Sequence, residues 1–181
     1  MKIEIISGSP RANGVTKRVA IHLQQRFNEI SGVEAAVIDM ADWNHLPPMK
    51  TVFTSVANTP EEFRELSTRI FNAHGFILVT PEYNGSYSPS MKNLLDHFPK
   101  QHHKPFGLVT ASPGALGGVR ASQQLLLLVA ALFGIASPYL LVVPHIEKKF
   151  APDGTLNDGS FEHAINNFIA EYLWLAGNVG I

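Results

Sequence analysis

The chain is predicted to form a single α/β domain over residues 1–181, with a five-stranded parallel sheet and helices on both faces. Three observations carry this. Five short apolar runs alternate with five stretches of helical periodicity, and such alternation builds right-handed β-α-β crossovers. The run Gly75-Phe-Ile-Leu-Val-Thr80 is apolar almost without interruption, as expected of a strand covered on both faces. Three of the runs lead directly into a glycine-containing loop that opens a helix.

The first strand contains Ile3, Ile5 and Ile6, and an amphipathic helix follows over about 15–30. Residues 33–39 form the second strand. The second helix runs over 60–73, with Thr59 as its cap. The third strand is Gly75–Thr80. The third helix covers 91–98, with Ser88 placed to cap it and Pro89 at the first helical position. A fourth strand over 106–111 leads to a long helix from Val119 to a stop at Gly134. The fifth strand spans 137–143, and a last helix spans 161–175. The irregular connection 40–58, with Trp43, His45, Pro47 and Pro48, is long enough to be functional. It is assigned to the rim of the substrate pocket or to a subunit interface.

Composition narrows the function. The chain has 181 residues, 45% of them hydrophobic, enough for one core. With 14 basic and 15 acidic residues and a net charge of −1, nucleic acid is not an expected partner. There are no cysteines, which excludes disulfides, thiolate catalysis and cysteine-type zinc sites. The N-terminus enters strand-like sequence without a signal-peptide core, and a cytoplasmic location is expected. Residues 125–136 contain no polar side chain. A membrane span would have to run on through Gly134, Ser137 and Pro138 to reach about twenty residues, so the stretch is read as a helix followed by a strand. A helix apolar on almost every side suggests burial against a second subunit, and a homodimer or homotetramer is expected.

The loops carry the chemistry. Gly8-Ser-Pro-Arg-Ala-Asn-Gly-Val-Thr16 joins a strand to a helix start, where unpaired amides and the positive end of the helix dipole favour an anion. Ser9 and Thr16 add hydroxyls, Asn13 an amide and Arg11 a charge, and Gly14 and Val15 complete the turn. This suits a phosphate monoester. The string is neither a Walker A loop nor a dinucleotide fingerprint, because Lys and the second glycine are absent where those require them, and Asp39 lies too far from Gly8 to serve a ribose.

In the second loop, Thr80-Pro-Glu-Tyr-Asn-Gly-Ser-Tyr87, Tyr83 offers a platform for a flat ring and Asn84-Gly85 offers backbone polar groups for its edge. The third, Ser112-Pro-Gly-Ala-Leu-Gly-Gly118, can present amides to the ring's far side. Glu82 has two readings, a general base or a solvent-exposed turn carboxylate. His97, His102 and His103 read as solvated loop residues rather than a metal site. Ser112, His145 and Asp96 lack the elbow of a hydrolase.

The order Gly-Ser-x-Arg with Asn-Gly-x-Thr, then Pro-Glu-Tyr-Asn-Gly-Ser-Tyr with Met91-Lys92-Asn93-Leu-Leu-Asp96, then Ser112 with Gly117-Gly118 resembles the NADPH-dependent FMN reductase family of flavodoxin-like oxidoreductases. The resemblance extends to Phe150 and Asp153-Gly154 before the last helix. It implies a flavodoxin-like three-layer sandwich of strand order 2-1-3-4-5. It implies FMN as cofactor, with Ser9, Arg11, Asn13, Gly14, Val15 and Thr16 at the phosphate. Pro81, Glu82, Tyr83, Asn84 and Gly85 would then meet the isoalloxazine, and Ser112, Gly114, Gly117 and Gly118 its far edge. NADPH or NADH would be the cosubstrate, in ping-pong turnover to a quinone, free flavin, azo compound or metal oxyanion. The alternatives are a flavodoxin-type electron carrier, typically far more acidic than this chain, and a non-catalytic flavin-binding protein.

Overall fold

A computed structural model describes residues 1–179. Strands β1 (Lys2–Ser7), β2 (Glu34–Asp39), β3 (Gly75–Thr80), β4 (Pro105–Ala111) and β5 (Ile135–Val143) form one parallel sheet of order β2-β1-β3-β4-β5. Helices α1 (Thr16–Asn28) and α6 (Glu162–Asn178) cover one face, while α2 (Arg64–Asn72), α3 (Pro89–Asp96) and α4 (Val119–Ala131) cover the other. A single-turn helix α5 (Ile146–Lys149) follows β5.

Strand alternation sorts the core into two layers. Ile3, Ile5, Ile77 and Val79 pack with Val19, Leu23, Phe168 and Tyr172. Ile6, Phe76 and Leu78 pack with Leu66, Met91 and Leu125. Every residue of β3 is buried, and each such large apolar side chain contributes about 1.5–3 kcal/mol. Glu4 on β1 is also buried, and Arg69 of α2 neutralises it through Nε–Oε1 and Nη2–Oε2 contacts of 3.2 and 2.5 Å, a paired geometry that offsets its desolvation.

The expected sheet order and all five strands are found, with shifted boundaries. β5 begins two residues ahead of expectation and includes Pro138. The missing amide is tolerated because β5 is an edge strand and its register with β4 slips between Phe106 and Leu108. The second helix opens with a 3-10 turn at Glu61–Phe63. Thr59 does not cap it: its hydroxyl donates to the Ser55 carbonyl at 2.8 Å and lies 2.9 Å from Ser67 Oγ. Ser88 does cap α3, accepting the Met91 amide at 3.3 Å, with Pro89 first in the helix.

Among the described residues no helix is long and apolar enough to cross a membrane. In the 125–136 stretch, Leu125, Leu128, Val129 and Leu132 enter the core. Leu127 and Phe133 remain 65% and 57% exposed.

The α1 side of the core contains a titratable group. His22 Nδ1 lies 2.9 Å from the Gly154 carbonyl, so Nδ1 carries the proton, and the buried Nε2 has no partner among the described residues. Burial holds its pKa below the usual histidine value. The unfolded chain therefore binds this proton more readily, and stability falls as pH drops below about 6.5, by at most about 1.4 kcal/mol per unit. Urea unfolding is expected to show lower stability at about pH 5.5 than at about pH 7.5. The difference should shrink in His22→Gln, whose amide still donates to Gly154 but does not titrate.

Candidate active site

Strand order reverses between β1 and β3, which leaves a crevice above their carboxyl ends. The loop after β1 is tied across it. The Gly8 amide donates to the Val79 carbonyl at 2.8 Å, and the Gly8 carbonyl accepts the hydroxyls of Ser88 and Ser90. The chain then turns through a 2.9 Å bond from the Gly14 amide to the Arg11 carbonyl and enters α1, which has no side-chain cap. The amides of Asn13, Val15 and Thr16 and the Thr16 hydroxyl meet no protein acceptor among the described residues. A Cβ at Gly14 would stand 2.5 Å from Ser9 Oγ, so only glycine lets the loop fold this tightly. Asp39 is not free to read a ribose. Lys17 pairs with it at 2.8 Å, and that hydrogen bond raises the lysine pKa.

The loop after β3 makes a two-residue hairpin. Tyr83 and Ser86 exchange backbone bonds of 2.8 and 3.1 Å, and Asn84 and Gly85 have φ of 52° and 84°, the type I′ geometry favoured by Asn-Gly. Arg11 stands over the Tyr83 ring, its guanidinium carbon 5.5 Å from the centroid. Both sequence readings of Glu82 give way to a third. Its side chain is 18% exposed, accepts the Arg120 amide at 3.2 Å and pairs with the Arg120 guanidinium at 3.5 Å. The carboxylate thus serves the amino end of α4.

The loop after β4 rests on the one after β5. The Ile146 and His145 amides donate to the Ser112 and Gly114 carbonyls at 3.2 and 3.3 Å, and Ser112 Oγ accepts the Gly114 amide at 2.9 Å. Gly117 and Gly118 have φ of 60° and 77°, and a Cβ on Gly117 would lie 2.8 Å from the Pro144 nitrogen.

The three loops border one cavity of about 580 Å³. Ser9, Arg11, Asn13, Gly14, Val15 and Thr16 line it on one side, Pro81, Glu82, Tyr83 and Asn84 on another, and Ser112 on a third. Gly85, Gly114, Gly117 and Gly118 are not in the lining; the positive φ values at Gly85, Gly117 and Gly118 shape the loops from behind. Ala111, Pro113 and Glu147 do line the cavity, and sequence reasoning missed them. The signal for Glu147 was its place just past a strand end, on the same pole as the other loops.

The remaining candidates disperse. His97 is buried rather than solvated, with Nδ1 2.7 Å from the Asn93 carbonyl and its ring against Phe53. His102 and His103 are exposed, and no cluster among the described residues could hold a metal. Asp96 is paired with Lys92, and His145 faces the Pro113 carbonyl, so neither forms a triad with Ser112. The 40–58 connection does not line the cavity. Asn93 pins it to α3 through the Met49 amide and the Leu46 and Pro47 carbonyls.

The model of the NADPH-dependent FMN reductase family matches residues 1–147. The chain belongs to that family. FMN is the cofactor and NADPH the cosubstrate of the family, and the chain is accordingly an FMN-dependent oxidoreductase. An FMN-dependent NADPH-azoreductase of Staphylococcus aureus (strain USA300) is 31% identical over 187 aligned positions, covering 98% of this chain and 96% of the relative. Among solved structures, FerB, a flavoenzyme NAD(P)H:(acceptor) oxidoreductase from Paracoccus denitrificans, is similar at a TM-score of 0.75 and 22% identity, with 97% of each chain covered. A flavodoxin from Pseudomonas aeruginosa is similar at 0.59 and 21%, with 96% and 99% covered. Both likenesses are likenesses of fold, which is flavodoxin-like.

Proposed function

We propose that the cavity binds FMN and that the enzyme uses it to carry reducing equivalents from NADPH or NADH to a small acceptor, a quinone, a flavin or an azo compound. The observation that carries this reading is the convergence of three strand-end loops on one crevice whose lining includes both the loop with free amides and an aromatic ring. In this reading the Asn13, Val15 and Thr16 amides, with the Ser9 and Thr16 hydroxyls and Arg11, hold the phosphate. Gly14 allows the close approach. Pro81, Glu82, Tyr83 and Asn84 frame the ring and Ser112 stands on the opposite wall, with Gly85, Gly114, Gly117 and Gly118 shaping the loops that carry them. FMN held there would supply the two-electron chemistry that links the nicotinamide to the second substrate in ping-pong order. The protein's part is positioning. No side chain is assigned as acid, base or nucleophile, and Glu82 is already engaged by Arg120.

The azo acceptor enters through the name of the 31% identical relative. A net charge of −1 speaks against a partner-steered electron carrier and against nucleic acid. Exposed Leu127 and Phe133 support a homodimer or homotetramer, which light scattering tests. The decisive experiment is an FMN titration followed by steady-state NADPH oxidation with benzoquinone. Bound yellow flavin and parallel double-reciprocal lines are expected. A protein that stays colourless in excess FMN would sink the proposal, and flavin binding without NADPH oxidation would favour the carrier.

A further inference from the structure

We propose that Glu147 is a specificity determinant that makes the enzyme favour neutral or cationic electron acceptors over anionic ones. The inference rests on the FMN oxidoreductase reading of this cavity. Arg11, Glu82 and Glu147 are the charged side chains that line it. Arg11 is assigned to the phosphate, and Glu82 is tied to the amide and guanidinium of Arg120. Glu147 is exposed and makes no ion pair or hydrogen bond with its side chain among the described residues. Of the two lining carboxylates, Glu147 is thus the one without a counter-charge among the described residues.

The backbone bearing that charge is fixed. Ile146 is fully buried and donates its amide to Ser112, the Lys149 amide reaches the His145 carbonyl at 3.3 Å, and Arg18 Nη1 donates to the Phe150 carbonyl at 2.9 Å. Lys149 is turned away, paired with Asp158 at 2.6 Å and lying over the Phe161 ring. The residue is therefore anchored through its backbone beside Ser112 and lines the cavity, where a negative charge disfavours the approach of anionic substrates. It takes no part in the redox balance: a quinone, NADPH and one proton from water become a hydroquinone and NADP+.

The test compares naphthoquinone with naphthoquinone sulfonate as acceptor in FMN-replete enzyme. In ping-pong kinetics the kcat/KM for an acceptor does not contain the NADPH step, so the anionic donor does not confound it. At about 20 mM ionic strength, where screening is weak, the ratio of kcat/KM for the sulfonate over the neutral quinone is expected to rise about threefold to tenfold in Glu147→Gln. It should rise further in Glu147→Lys, return to the parent value in Glu147→Asp, and converge among variants at high salt. A ratio that stays within about twofold in both Gln and Lys variants, or an Asp variant that behaves like Gln, overturns the proposal. If the parent protein takes up no FMN, the functional reading falls and this inference with it. A flavin-replete variant with an unmoved ratio overturns only the inference.

Discussion

Arg11→Ala is expected to weaken FMN binding by roughly tenfold to 150-fold, the equivalent of about 1.5–3 kcal/mol for a hydrogen bond to a charged group. Arg11 is the one cation in the cavity lining among the described residues, so a phosphate dianion seated on the free amides has no other positive side chain to meet there. Its guanidinium also stands above Tyr83, and a cation over an aromatic face is worth about 0.5–1 kcal/mol at an exposed site. Truncation therefore loosens the ring platform as well. Fluorescence titration with FMN and with riboflavin separates the two effects. Riboflavin lacks the phosphate, so its affinity should fall far less than that of FMN. Arg11→Lys keeps the charge without the planar fork, and its FMN affinity should lie between parent and Ala. An unchanged FMN affinity in the Ala variant would remove Arg11 from the phosphate.

The parts of this molecule that sequence reasoning reached are those where one physical cause dominates. β3 was legible because burial on both faces leaves no room for polar residues. The loops after β1 and β3 were legible because glycine, asparagine and serine at a strand end serve a narrow set of backbone geometries. The failures come where two causes compete. Thr-Pro-Glu-Glu at 59–62 has the composition of a helix start, yet the Thr59 hydroxyl is recruited by Ser55 and Ser67, contacts no local pattern encodes. The start of β5 at Ile135 was missed because Ile135 and Ala136 continue the apolar run of the preceding helix without a change in composition. His97 follows Asp96 at the end of α3, and it is the 40–58 connection that packs on it, with the Phe53 ring against the imidazole and the Phe53 amide on its carbonyl, contacts that no local pattern encodes. A single helical turn such as Ile146–Lys149 is too short to show periodicity. Glu147 therefore escaped the site assignment, and so did Ala111 and Pro113, which line the cavity beside Ser112.

Gly85→Val should abolish tight flavin binding while leaving the fold standing. In the hairpin after β3, Gly85 has φ of 84°, a conformation costing a β-branched residue on the order of 1–3 kcal/mol. The cause is conformational, since a Cβ built on Gly85 meets no protein atom within 4 Å. The variant relieves the strain by abandoning the type I′ turn, which breaks the reciprocal Tyr83–Ser86 bonds and carries Tyr83 and Asn84 out of the cavity wall. The fold survives because α3 is anchored independently: the Ser88 amide donates to Thr80 Oγ1 at 3.0 Å, and the Ser88 and Ser90 hydroxyls hold Gly8. FMN affinity is thus expected to drop by at least about tenfold, since every 1.4 kcal/mol is worth that factor, with a far smaller change in urea midpoint. Gly85→Asn discriminates between conformation and space, because asparagine tolerates positive φ yet fills the same volume. Recovery of binding in the Asn variant assigns the effect to the turn. Equal loss in both assigns it to the space beside Gly85, which the ligand would then have to occupy, and normal flavin content in the Val variant would place the ring edge elsewhere.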